Sequence, residues 1–264
     1  MILIALGPRL RAVRPTPSTR SGDVISAHVS RGGLRSRARG AHFSVHLFEP
    51  LYAPRVAIAY QPSMFDLVEQ TRFFPLRGDI ERTQLTEGAW IERFPGWLTG
   101  SDTVLDTLLG EVPWRAERRQ MYDREVDVPR LLCWYGADAT LPHQALAEAR
   151  TALNDHYRDE LGEPFLTAGL CLYRDGRDSV AWHGDTIGRG KTSDTMVAIL
   201  SVGSERPLML RPRAGGNSLR VPVGHGDLIV MGGSCQRTWE HAIPKTSKPV
   251  GPRVSIQFRP AGVA

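Results

Sequence analysis

In AWHGDTIG, Ala181 to Gly188, and again in VGHGDLIVMGG, Val223 to Gly233, a histidine stands two residues before an aspartate. Such a pair can hold a metal or merely shape a turn. Asp227 of the second copy lies between Gly226 and the apolar run Leu228 to Met231, where an Asx-type hydrogen bond to the backbone is the ordinary work of the residue. The second copy therefore reads as a turn. The first, His183 and Asp185, gains a third potential ligand in His241 of RTWEHAI. Two histidines and one carboxylate make a facial triad with open positions, which suits a non-haem Fe(II) that must bind a co-substrate and dioxygen. By itself this is a weak signal in a chain with eight histidines.

The ending GPRVSIQFRP strengthens it. Arg253 and Arg259 are six residues apart, so on a strand they face the same side. Two guanidinium groups on one face of a buried strand are costly without anions, and a dicarboxylic acid supplies two. The plain alternative is a pair of solvated arginines on an exposed face.

These residues need a scaffold. In TGSDTVLDTLLGEVPW, Ser101 can cap a helix that places Val104, Leu105, Leu108 and Leu109 on one face, with Gly110 as its stop. In LPHQALAEARTALNDHYRDELG, Leu146, Ala149, Leu153, Tyr157 and Leu161 form a helical stripe that Gly162 ends. Beyond Gly162 the pattern changes to short apolar or alternating runs: LTAGLCLY, MVAILSVG, PLMLRPR, SLRVPVG, DLIVMGG, RTWEHAI and RVSIQFR. With RLLCWYG upstream as an eighth, these strands predict a sandwich or jelly roll.

The chain has 264 residues, 41% hydrophobic and 23% charged, enough for one sizeable globular domain. No apolar run approaches the length of a membrane span. Cys133, Cys171 and Cys235 are odd in number and far apart, which argues against a disulfide framework and a structural zinc site and fits a reducing cytoplasm. The net charge of +5 is unevenly spread: residues 1–50 hold eight arginines against Asp23 and Glu49, a net of +6, so the remainder carries −1. The charge balance of the body therefore gives no ground for strong nonspecific attraction to phosphate backbones. Segment 1–53, rich in Arg, Ser, Gly and Pro without hydrophobic periodicity, reads as a disordered tail or a non-native extension. An Arg-rich transit-like character and a start placed too far upstream, with a natural beginning near Met64, both account for it.

At the residues quoted above, the sequence resembles the AlkB family of Fe(II)- and 2-oxoglutarate-dependent dioxygenases. YRDGRDSVAWHGD, HGDLIVMGG, RTWEHAIPK and the Arg-x5-Arg ending occur in that family's order and at about its spacing. VPWRAERRQMY and VPRLLCWYG look like the nucleotide-recognition portion of members that repair alkylated bases. The resemblance implies a mainly β fold with flanking helices and a double-stranded β-helix (jelly-roll) core. It divides the domain, 54–264, into a recognition part with supporting helices, 54–165, and the jelly-roll core, 166–264.

The resemblance further implies that His183, Asp185 and His241 bind iron, that Arg253 pairs with the distal carboxylate of 2-oxoglutarate, that Arg259 acts near its other end, and that Tyr173 hydrogen-bonds the co-substrate. Two positions depart from the family: Cys171 replaces a usual Asn, and Ile187 stands where many repair members carry a carboxylate that can meet an exocyclic amine. The implied reaction is oxidative dealkylation of N-alkylated bases in DNA, or in RNA, with O2 as the second co-substrate. A base inside a duplex must be flipped to be reached, which favours a single-stranded substrate. Trp114, Arg119 and Tyr122 are the expected substrate contacts and Arg115 and Arg118 further phosphate partners; Trp134 is a third candidate for stacking, but of the three aromatics the one that best reads as a buried core residue. Residues 112–136 hold five arginines against four acids, so binding should be modest and salt-sensitive. The expectation is a monomeric DNA-repair enzyme with no membrane partner. The alternatives are a dioxygenase of the same type acting on a protein or small molecule, and a catalytically silent binding scaffold.

Overall fold

A computed structural model describes residues 70–76, 82–121 and 124–263. Segment 1–53, Met64 and Tyr122 lie outside the described residues. The chain begins with strands β1 (Arg72–Phe73), β2 (Arg82–Gln84), β3 (Ala89–Phe94) and β4 (Leu98–Thr99), followed by helix α1 (Ser101–Glu111). A hairpin of β5 (Arg115–Met121) and β6 (Arg124–Tyr135) leads to helix α2 (Gln144–Leu161). Then come β7 (Phe165–Tyr173), β8 (Val180–His183), β9 (Val197–Gly203), β10 (Arg206–Pro212), β11 (Leu219–Val223) and β12 (Asp227–Gly233). A one-turn helix, α3 (Cys235–Thr238), precedes β13 (Trp239–Ile243) and β14 (Arg253–Pro260).

Antiparallel pairing builds an eight-stranded sheet of order β2-β3-β12-β9-β14-β7-β6-β5 and a four-stranded sheet of order β11-β10-β13-β8. The expected mainly β jelly-roll fold with flanking helices is borne out, and the larger sheet takes strands from both sides of residue 165. Strand alternation assigns each side chain to one of two layers. One layer buries Val104, Leu105 and Leu108 of α1 and Leu146, Leu153 and Tyr157 of α2 with Leu170, Leu200, Ile256 and Phe258 of the large sheet. The other packs Val197, Ile199, Ile229 and Met231 of the large sheet with Leu208, Leu210, Val221 and Ile243 of the small one. Strand β14 is buried at all eight positions because both of its faces are covered.

The helix ends differ partly from their predicted form. Gly162 does end α2, in a left-handed conformation (φ 71°) with its N–H on the carbonyl of Arg158, 3.0 Å away. At the other end the ring of His143 accepts the Ala145 N–H. Ser101 caps nothing: Gly100 holds the N-cap position, and Ser101 is buried as the first helical residue. Gly110 does not stop α1, which runs to Glu111 and ends where Pro113 forbids a further turn.

The second His-Gly-Asp is the turn entering β12. Asp227 accepts the N–H of Gly224 through Oδ2 and that of Gly96 through Oδ1, both at 2.7 Å. His225 accepts the Gly203 N–H at 2.8 Å. Gly226 adopts φ +77°, and a Cβ there would fall 2.2 Å from the carbonyl oxygen of Leu98. Replacing Asp227 by Ala leaves two amides without their acceptor, so we expect it to cost about 1–3 kcal/mol in urea denaturation. The iron content of the folded variant should equal the parent's, whereas Asp185→Ala should lose iron; equal loss in both would reject the turn assignment.

Candidate metal centre and active-site cavity

VAWH of β8 went unrecognised as a strand in the sequence, yet its pairing with β13 places the two histidines. His183 and His241 are direct cross-strand partners with ring centroids 4.2 Å apart. Asp185 follows two residues past His183, where the chain leaves the sheet. Gly184 permits that exit, since a Cβ would lie 2.5 Å from the carbonyl oxygen of Gln236. The Asp185 N–H is held by Gln236 Oε1 at 2.9 Å. One ligand-capable atom from each of His183, Asp185 and His241 lies within 4.8 Å of the others. The set has the composition and proximity a divalent transition metal requires, with no fourth protein ligand among the described residues.

The surroundings fix the state of each group. His183 Nδ1 faces two carbonyl oxygens, Ala181 at 2.9 Å and His241 at 3.1 Å. Neither can donate, so Nδ1 carries the proton and Nε2 keeps its lone pair for a metal. Burial opposes ionisation of Asp185, but the charge of Arg259 and the neighbouring histidines prevail and hold its pKa at about 2. Burial, reinforced by His183, pushes His241 down to about 3. Burial also lowers His183. At neutral pH the trio is one carboxylate and two neutral imidazoles, the form that binds a metal.

Arg253, Ser255, Gln257 and Arg259 alternate along β14 onto the side opposite Val254, Ile256 and Phe258, and all four line the cavity. Arg253 is 2% exposed, and its Nε donates to Ser201 Oγ at 2.9 Å. Its Nη1 is buried without a partner. Tyr173, its register neighbour on β7, sets its ring 5.3 Å from the guanidinium. An unsatisfied buried cation beside a phenol fits one end of a dicarboxylate. Arg259, expected near the other end of the co-substrate, is committed to Asp185: its Nε donates to Oδ2 at 2.7 Å.

The cavity between the sheets measures about 670 Å³, within the range of small-molecule sites. His183, Asp185, His241, Tyr173, Arg253 and Arg259 all line it. The outer lining includes Pro113, Arg115, Glu117, Arg130, Leu132 and Trp134 of the β5–β6 region, and Ile187. Trp134 corrects the expectation of burial: it is 51% exposed, on the opposite side of β6 from Cys133 and Tyr135, which pack on the helical core. Its ring centroid lies 5.9 Å from the Arg259 guanidinium. Trp114 is absent from the lining; it packs against the helical core and donates its indole N–H to the carbonyl of Leu108 at 3.0 Å. Arg118 is ion-paired with Glu125 and Asp127, both at 3.0 Å. Arg119 lies on β5 opposite Val126. Ser255 and Gln257 were overlooked in the sequence, although the alternation Arg-x-Ser-x-Gln-x-Arg on a strand was the signal. Gln257 donates to Ser255 Oγ at 2.6 Å and lies 3.7 Å from Cys171 Sγ, so an amide reaches the place beside Cys171 from the adjacent strand.

Residues 93–259 match the 2OG-Fe(II) oxygenase superfamily. The chain is 29% identical over 187 residues to alpha-ketoglutarate-dependent dioxygenase alkB homolog 3 of Homo sapiens, covering 63% of this chain and 64% of that protein. It is 30% identical over 186 residues to the protein of the same name from Bos taurus, covering 62% and 64%. To DNA oxidative demethylase ALKBH2 of Homo sapiens it is 27% identical over 178 residues, covering 60% and 68%. The chain thus spans slightly less than two thirds of the length of the alkB homolog 3 relatives.

His241 generates a pH prediction. Its folded pKa, about 3, lies below the ordinary 6.5, so the unfolded chain binds more protons between those values. Metal-free protein should therefore be fully stabilised above pH 6.5 and lose stability progressively as pH falls toward 3. Urea denaturation at a series of pH values should show this slope, and His241→Gln should flatten it.

Proposed function

The chain belongs to the 2OG-Fe(II) oxygenase superfamily, and on that premise we propose that it removes alkyl groups oxidatively from ring nitrogens of nucleobases in DNA or RNA. The observation that carries the reading is one cavity lined by the His183, Asp185 and His241 group, a buried arginine with an unmatched donor, and a half-exposed tryptophan at the outer wall. The relatives named DNA oxidative demethylase support the substrate class, with DNA as the nucleic acid.

His183, Asp185 and His241 would hold the iron. When bound, iron and 2-oxoglutarate would supply oxidation of the N-alkyl carbon by dioxygen, with succinate and carbon dioxide as co-products and an aldehyde released from the restored base. The chain orients these partners. Arg259 occupies Asp185 Oδ2 and leaves Oδ1, 3.9 Å from His183 Nε2, turned toward the histidines. Arg253 and Tyr173 receive the distal carboxylate, and their burial strengthens the pairing. In this reading Trp134 would offer a stacking face for an extruded base, and Arg115, which lines the same cavity, would meet backbone phosphates.

Single strands are the better substrate in this reading. A duplex base costs a few kcal/mol to unstack and unpair, and a body of net charge −1 returns little of that through backbone attraction. No described helix is long and apolar enough to cross a membrane. Three free cysteines suit the reducing cytoplasm in which we place the protein, and we take it to act as a monomer.

Two measurements test this. Single-stranded oligonucleotides bearing 1-methyladenine or 3-methylcytosine should release formaldehyde at least as fast as the matching duplexes, given iron, 2-oxoglutarate and ascorbate. Succinate formation that no oligonucleotide stimulates, with all lesions intact, rejects the reading in favour of a protein or small-molecule substrate. Separately, Arg253→Ala should weaken 2-oxoglutarate binding by on the order of 2–5 kcal/mol in calorimetric titration while iron content is retained. Unchanged affinity would mean that Arg253 does not hold the co-substrate.

A further inference from the structure

Arg206, the first residue of β10, is 1% exposed and does not line the cavity. Among the described residues its guanidinium hydrogen-bonds only to main chain. Nη1 donates to the carbonyl of Asp175 at 3.0 Å, and Nη2 to those of Asp178 and Pro244 at 2.9 and 2.6 Å. Nε is buried without a partner. The carboxylates of the same loop are committed elsewhere. Asp178 accepts the backbone N–H of Arg174 and two of its guanidinium nitrogens, at 2.8, 2.8 and 2.9 Å, and Asp175 is ion-paired with Arg177. Each of those acids shares its field with its own arginine, so the charge of Arg206 is held by carbonyl dipoles and not by a counterion.

The aromatic ring beside it is Tyr173. The Arg206 guanidinium lies 5.8 Å from the centroid of that ring, and the Arg253 guanidinium 5.3 Å from it. Arg253 is in the same condition, since its Nε has only the neutral Ser201 hydroxyl and its Nη1 has nothing. Two buried cations without carboxylates therefore share one phenol. Burial, with the charge of Arg206 acting in the same sense, pushes Arg253 below its ordinary pKa. The three carbonyls alone do not call for a cation: a neutral amide could serve them at a smaller desolvation cost. The charge matters when an anion arrives, because a carboxylate placed against Arg253 relieves both cations at once, and in a low-dielectric site a charge acts well beyond contact distance. Arg206 also joins the connection that leaves Tyr173 to the one that leads into Arg253. These two loops meet where the Thr246 N–H donates to Gly176 O at 2.8 Å.

We propose that Arg206 is a positioning residue for the co-substrate: without touching it, its charge strengthens the hold of Arg253 and Tyr173 on the distal carboxylate, and so favours a dicarboxylic 2-oxo acid over its monocarboxylic counterpart. This rests on the reading above in which Arg253 and Tyr173 receive that carboxylate. A fastening role alone would place the loops correctly but would not distinguish the two acids.

The test titrates anaerobic, Fe(II)-loaded protein calorimetrically with 2-oxoglutarate and with 2-oxopentanoate, which has the same chain with a methyl group in place of the distal carboxylate. Arg206→Met fills similar space without charge, and Arg206→Gln keeps an amide for the carbonyls. Thermal melting and iron content show which variant is folded, and either one suffices. Each should bind 2-oxoglutarate about tenfold more weakly than the parent and 2-oxopentanoate equally well. Arg253→Ala, as the control, should lose 2-oxoglutarate in the same selective way. Unchanged 2-oxoglutarate affinity in a folded Arg206 variant, where Arg253→Ala loses it, overturns the proposal. Equal weakening of both acids overturns it as well and leaves Arg206 as a fastener of loops. If Arg253→Ala too binds 2-oxoglutarate as the parent does, the co-substrate reading itself fails and the role of Arg206 falls with it.

Discussion

Arg259 and Asp185 form a charge pair buried between the two sheets, at 2.7 Å, with side-chain exposures of 10% and 5%. Neither charge could be removed from water alone; together, at hydrogen-bonding distance, they compensate each other. The pair ties the last strand of the large sheet to the loop leaving the small sheet, so it fixes where the carboxylate stands relative to the two histidines. Its geometry also constrains a third strand. Gly169 of β7 lies beneath the Arg259 side chain, and a Cβ there would fall 2.8 Å from Nη1. A larger residue at 169 would press on the end of that guanidinium.

The rest of the architecture serves a strand whose two faces want different things. Val254, Ile256 and Phe258 are anchored against α1 and α2, which gives β14 a rigid seat. That seat lets the opposite face carry two arginines, a serine and a glutamine into a low-dielectric space without the strand moving outward to solvate them. The helices thus act on chemistry they never touch. The buried cluster of Glu92, Tyr157 and Arg82, with Glu160 beyond it, does similar work at the other edge, holding α2 to β2 and β3 through hydrogen bonds and ion pairs.

Much of this was legible in local sequence. The His-x-Asp spacing, the six-residue interval between arginines and the helical stripe of α2 are each set by chain geometry over a few residues, and each appears in the fold as expected. What escaped depends on distant partners. Val180–His183 is too short to announce itself as a strand and exists because β13 pairs with it. The exposure of Trp134 follows from which face of β6 the helices cover, which no property of RLLCWYG reveals. Ser101 looked like a cap but is drawn inward, where its hydroxyl lies 3.3 Å from the place a Cβ of Gly226 would take. The partner of Arg259 is 74 residues away in the chain, beyond any periodicity.

The ring of His183 is oriented in part by the backbone carbonyl of His241, 58 residues later. The two rings are therefore coupled through the strand pairing itself: until β8 and β13 are in register, His183 lacks its neighbour and the second of its two carbonyl acceptors, the first being Ala181 on its own strand. Closing a loop of that length is slow compared with forming local turns. Metal affinity is in this way an attribute of the finished topology rather than of any folding segment. A cation present during folding would find its full ligand set only after assembly, and would then act as a ratchet, drawing the population to the native side by mass action.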